Sequence, residues 1–134
     1  MERKYTERYQ SFCKSLQGLE RAKGRDLTDD FVLSGTIQKF SLTFDIAWKV
    51  MKDIVVKYYG INDFATGSPR ETLRLAASVK LISDDHWMNM LSDRNNLSHD
   101  YDGTLAAQKV HVIIEEYIPL FQKFRINVEK ILLQ

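Results

Sequence analysis

The chain has 134 residues, 44% of them apolar and 28% charged, enough for one domain with a single core and unlike a disordered chain. Nineteen basic against eighteen acidic residues leave a formal charge of +1, which argues against a polybasic membrane binder or a general DNA or RNA coat but allows a small basic pocket. The single cysteine, Cys13, excludes an internal disulfide and a multi-cysteine zinc site. The first residues are charged rather than apolar, and no stretch approaches the ~18 apolar residues of a membrane span. The expectation is one cytoplasmic domain over residues 1–134 with no membrane contact.

Glycine and proline are sparse, as long helices require. In the first segment Tyr5, Tyr9, Phe12, Leu16 and Leu19 follow alternating four- and three-residue steps, the stripe of a helix that Gly24 ends. A second, longer stripe runs through Ile37, Phe40, Phe44, Ala47, Met51, Ile54 and Tyr58, widened by Trp48 and Val55 and closed by Gly60. Thr28 and Asp29 offer caps for a short lead-in turn, which Gly35 is expected to separate from the main helix. Ser68-Pro69-Arg70-Glu71 predicts a third helix: the serine accepts the Glu71 N–H, proline suits the first turn, and the glutamate reaches back to the serine N–H.

Ser83-Asp84-Asp85 predicts the start of a fourth helix, with two carboxylates where the helix dipole favours them. It passes Trp87 and Leu91 toward Ser98, and Asp100-Tyr101-Asp102-Gly103 breaks it. A last helix opens near Thr104 with Val110, Ile114, Tyr117, Phe121, Phe124, Val128 and Ile131 as its stripe. Pro119 lies inside it and crowds the Glu115 carbonyl, so a kink is expected. With no strand-like alternation, the predicted fold is all-α: an antiparallel up-and-down bundle of four main helices plus a shorter one, dimerising through the long stripes.

Most familiar chemistry is missing. The glycines are scattered, so no phosphate loop forms. His86, His99 and His111 share no metal-ligand spacing, and no metal or cofactor is expected. The segment Asp93-Arg94-Asn95-Asn96-Leu97-Ser98-His99-Asp100-Tyr101 is different. Arg94 continues the apolar stripe of Trp87 and Leu91, where a guanidinium needs a carboxylate, backbone acceptors or a wet cleft. His99 lies five residues on, about 140° around a regular helix, so the pair converges only across a helix break or a dimer axis. Arginine grips phosphate and histidine exchanges protons near neutral pH, which suits metal-free cleavage at an RNA 2′-hydroxyl or nucleotide binding. Alternatively, Arg94 bridges helices by pairing with Asp93 or Asp84, and His99 caps a helix C-terminus.

This segment resembles the Arg-x4-His-x-Tyr signature of the nucleotidyltransferase substrate-binding proteins, helical members of the HEPN superfamily, with Arg94, His99 and Tyr101 in place. The run from Ile37 to Lys49 is similar to the family's second-helix signature, and Ser68-Pro69-Arg70-Glu71 falls where the family starts a helix. Lys39 replaces the usual arginine, Ser41 the usual glutamate and Asp100 a common threonine, so a role for the acid at position 41 does not carry over. The resemblance spans the chain. It implies a dimer that pairs with a separate minimal nucleotidyltransferase encoded nearby, as its nucleotide- or substrate-binding subunit, in a toxin–antitoxin-type system. It also implies an alternative, a metal-independent ribonuclease. There Arg94 stabilises phosphate charge, His99 acts as acid or base, Tyr101 accepts a silencing AMP, and Asp93 and Asn95 support the site.

The remaining residues have plainer expectations. Trp48 packs in the core or a dimer seam, and Lys49 is solvated. Cys13 is a small apolar filler, and Arg70 and Arg74 sit on an exposed face.

Overall fold

The structure is a computed structural model that describes residues 2–62, 67–83 and 85–133, with side chains from Thr6 onward. Tyr5, named in the first stripe, and Asp84, named as a helix opener and as a partner for Arg94, lie outside the described side chains. All regular structure among the described residues is helical: α1 (Glu2–Glu20), α2 (Asp30–Lys57), α3 (Pro69–Ser78), α4 (His86–Leu97), α5 (Thr104–Val112) and α6 (Ile118–Leu132). A π turn, Ile113–Tyr117, joins α5 to α6 in one continuous rod.

The α1 stripe is buried at Tyr9, Phe12, Leu16 and Leu19. The helix stops before Gly24, whose φ of +80° turns the chain back. Asp29 starts α2 by accepting the N–H groups of Phe31 and Val32 at 2.9 and 3.1 Å. Gly35 does not separate a lead-in turn. It lies within α2, because the Asp29 cap starts the helix early and an exposed glycine costs only about 1 kcal/mol there. Ion pairing of Arg8 with Asp53 and the buried hydroxyl contact of Ser15 with Thr43, at 2.7 Å, run α1 and α2 antiparallel. Tyr9 donating to Glu129 and Gln122 to Glu20 do the same for α1 and α6.

The serine half of the expected α3 cap is present, with Ser68 Oγ accepting from Glu71 N at 3.2 Å, and the Glu71 carboxylate reaches one residue further back, accepting from the Gly67 N–H at 2.8 Å. At the start of α4, Asp85 has a helical backbone and makes no side-chain capping bond, so its carboxylate lies at the positive end of the helix without capping it.

Pro119 does not leave a broken α-helical turn. The Ile118 N–H bonds the Ile113 carbonyl in the wider π pattern just before it, and the proline then occupies the first turn of α6, where no intrahelical donor is needed. The extra residue also shifts the stripe. Ile113 is fully buried and Ile114, the expected stripe position, is only half-buried. Beyond the π turn the expected phase resumes through Tyr117, Phe121, Phe124 and Val128.

The core is aromatic. Phe12 meets Phe121 and Phe124 at centroid distances of 6.1 and 5.3 Å, and Trp87 meets the same pair at 5.5 and 5.7 Å. Phe40 stacks on Tyr117 at 5.6 Å. Those rings tie α1, α2 and α4 to the last rod, and α4 is thereby held with its C-terminal turn against α2. Tyr58, last of the α2 stripe, is exposed beyond the helix end. No helix among the described residues is long and apolar enough to cross a membrane.

Candidate functional site

Arg94 lies in the last turn of α4, and its partner is Asp45 of α2. One nitrogen, Nη2, donates to both carboxylate oxygens at 2.7 Å. Nη1 donates more weakly, at 3.3 Å, to the Asn95 Oδ1. The bridge between helices is therefore real, and it goes to Asp45 rather than to Asp93, while Asp84 lies outside the described residues. Asp45 sits three residues before Trp48, on the side of α2 that Trp48 widens. A lone carboxylate on that widened stripe was the available signal for an arginine placed on an apolar face. Nε and one Nη1 hydrogen keep no protein acceptor among the described residues, and the pair is about one third exposed on each side (32% and 31%).

Asp93 faces the other way. It is buried, at 9% exposure, and accepts a short hydrogen bond from the Tyr117 hydroxyl while Lys109 Nζ lies 3.2 Å from its other oxygen. Burial, then the Asp93 carboxylate, pushes the Tyr117 phenol above its usual range, so it stays a proton donor. Asp93 thus fastens the end of α4 to the last rod and does not touch Arg94 by hydrogen bond or ion pair. The sequence marks Tyr117 only as a stripe position and Lys109 not at all, because their side chains meet Asp93 only through the π turn and the return of α5.

The helix ends at Leu97, so His99 lies in the turn after it and the break required for Arg94 and His99 is present. No hydrogen bond joins the two among the described residues; His99 is exposed, and its imidazole has no protein partner there. The next residues are braced. Asp100 accepts the N–H groups of Leu105 and Ala106 at 3.0 and 2.7 Å, and Asp102 accepts that of Thr104 at 3.0 Å. The Thr104 backbone, then its hydroxyl, holds the Asp102 carboxyl below its ordinary range. Gly103 takes the left-handed backbone, φ +77°, that closes the turn. These carboxylates order a turn on which Tyr101 stands 91% exposed.

Tyr101 borders a cleft of about 520 Å³ between this turn and the first turns of α2, where Asp30, Ser34 and Gln38 face Asp100 and Asp102. Neither Arg94 nor His99 lines it. The predicted residues therefore fall into two groups, Arg94 with Asn95 beside α2 and Tyr101 over a polar, acidic cleft, with His99 on the connecting turn. Lys49 lies 5.9 Å from the Trp48 ring centroid, an exposed cation over a half-buried ring that packs on the core. Burial raises the Cys13 thiol above its usual range, in keeping with a packed, inert side chain. Among the described residues no three His, Cys, Asp or Glu groups gather to hold a metal.

The family model described as nucleotidyltransferase substrate binding protein like matches residues 7–130. The match includes every residue of both groups. No curated protein matches the chain.

Proposed function

The chain belongs to the nucleotidyltransferase substrate-binding-like family, and from that premise we propose that it is the helical nucleotide- or substrate-binding subunit of a separate minimal nucleotidyltransferase encoded nearby. The observation that carries the reading is Tyr101. A tyrosine 91% exposed on a turn braced by two aspartates gains nothing from core packing, and its ring and hydroxyl are presented for a partner. The two components form a toxin–antitoxin-type system. The chain itself is an up-and-down bundle that dimerises, and the exposed Leu42 of α2 is an apolar side chain that supports a seam there. Capture of the tagged chain after co-expression tests the pairing: the nucleotidyltransferase is expected in the eluate, and recovery of the chain alone contradicts it.

A second reading rests on the His99 imidazole, which has no partner among the described residues, and on the remaining donors of Arg94. In it the chain is a metal-independent ribonuclease, with Arg94 steadying phosphate charge and His99 moving the proton across a dimer cleft. Asn95 orients Arg94, Asp93 anchors the helix that carries it, and AMP attached to Tyr101 silences the site. Asp45 works against this reading, since its carboxylate already neutralises the guanidinium. RNA cleavage in EDTA that disappears in His99→Ala supports it, and intact RNA at high protein concentration rejects it.

A further inference from the structure

A second groove lies away from these residues, between the C-terminal end of α1 and the first turns of α2. It has a volume of about 340 Å³, and its lining includes Arg21, Arg25 and Lys39 but no carboxylate. None of the three cations has an ion pair or side-chain hydrogen bond among the described residues. Of the carboxylates nearest in sequence, three are engaged elsewhere, and the fourth, Asp30, lines the neighbouring clefts and not this groove. Asp26 is taken by the Thr28 N–H and hydroxyl at 3.0 and 2.6 Å, Asp29 by the N–H groups that start α2, and Glu20 by Gln122.

The floor of the groove is built by small residues. A Cβ at Gly18 would lie only 3.3–3.4 Å from Cδ, Cε and Nζ of Lys39, so the bare glycine lets the lysine chain lie down across α1 instead of extending into water. Gly35 leaves the facing wall open, with nothing within 4 Å of where its Cβ would be. At the rim Phe31 is 89% exposed, a large apolar ring with no packing role of its own. Three uncompensated cations around a small concave surface attract an oligoanion, with the two guanidiniums offering forked donors to phosphate oxygens. An exposed ring beside them offers a face on which a base stacks.

We propose that this groove is a binding site for a nucleoside phosphate, held by Arg21, Arg25 and Lys39 through its phosphates and by Phe31 through its base. A long nucleic-acid strand fits less well. The neighbouring cleft shares Arg25 with the groove but continues past Asp26, Asp30 and Asp102, whose charges repel a phosphate backbone. The site needs neither a nucleotidyltransferase partner nor chemistry at Arg94, His99 or Tyr101, so its failure and the failure of the pairing are separate outcomes.

The test is an NMR titration of the purified full chain with ATP, AMP, adenosine, tripolyphosphate and a short single-stranded RNA, at about 50 mM salt so that exposed charges are little screened. ATP is expected to bind and to move the Gly18 and Gly35 amide signals, whereas adenosine leaves them in place. The exposed Arg21→Ala/Arg25→Ala pair is expected to weaken ATP by at least about tenfold, as loss of charge-assisted hydrogen bonds implies. Phe31→Ala should weaken ATP by about tenfold and leave tripolyphosphate unchanged, since it removes base stacking alone. ATP binding undiminished in the double arginine variant overturns the site, as do shifts confined to the Tyr101 cleft. RNA that binds the groove while ATP and AMP do not overturns the nucleotide assignment.

Discussion

Replacing Tyr117 by phenylalanine removes one oxygen and leaves the ring stacked on Phe40. That oxygen is the donor to Asp93, a carboxylate only 9% exposed at the end of α4. A hydrogen bond to a charged group contributes about 1.5–3 kcal/mol, and the acceptor left behind is poorly hydrated. Lys109, 3.2 Å from the other Asp93 oxygen, keeps the charge partly compensated, so the middle of that range applies, about 2 kcal/mol. For a chain of 134 residues this lowers the melting temperature by roughly 8 °C. Tyr9→Phe is the matched control. Its hydroxyl meets Glu129, an exposed residue that water can reclaim, so a loss of about 1 kcal/mol or less is expected. Urea unfolding of both variants measures the difference. If Tyr117→Phe costs under about 0.5 kcal/mol, or no more than Tyr9→Phe, then Asp93 does not depend on this bond and the fastening of α4 to the last rod is wrong.

Arg94→Ala should cost less than about 1 kcal/mol in the same assay, because both partners of the Asp45 bridge are about one third exposed to screening solvent; a loss above 2 kcal/mol, by that estimate about double, would mean the bridge carries the fold. Thr72 Oγ1 is buried with no hydrogen-bond partner among the described residues, so Thr72→Val should raise stability by about 1 kcal/mol, and a destabilised variant would reveal a partner. Asp26 and Asp102 both have carboxyls held below the ordinary 3.8, Asp26 chiefly by the Thr28 hydroxyl and Asp102 chiefly by the Thr104 N–H. Their contribution is therefore present above pH 3.8 and is lost as pH falls through the lower folded-state values. The Thr28 and Thr104 amide shifts should titrate with midpoints below 3.8, and midpoints at or above it would refute the assignment.

What could be read before folding was local. The Ser68-Pro69-Arg70-Glu71 start needs only backbone N–H groups a few residues away, and it forms. The stripes of α1 and α2 reflect one helix facing one core, and Phe12, Leu16, Phe40 and Phe44 are buried as their spacing requires. The π turn was not legible, because proline alone signals a lost hydrogen bond and not how neighbouring packing restores the backbone pairing. Gly35 misled for a related reason: a glycine permits a break, and the Asp29 cap together with packing on α1 decides against one. Within the site, Arg94 was correctly marked as an arginine needing a partner, but Asp45 lies 49 residues away and meets it only once α4 packs on α2. The separation of Tyr101 from Arg94 likewise arises from the course of the Asp100–Gly103 turn against α2, which residue spacing does not contain.

The proposed pairing is tested most directly by light-scattering mass across a size-exclusion peak, after co-expression of the chain with the nucleotidyltransferase encoded beside it. One peak holding the summed mass of both proteins, divided into separate components by Tyr101→Glu, is the predicted result. Two separate peaks for the unaltered chain and the nucleotidyltransferase at micromolar concentration would contradict it.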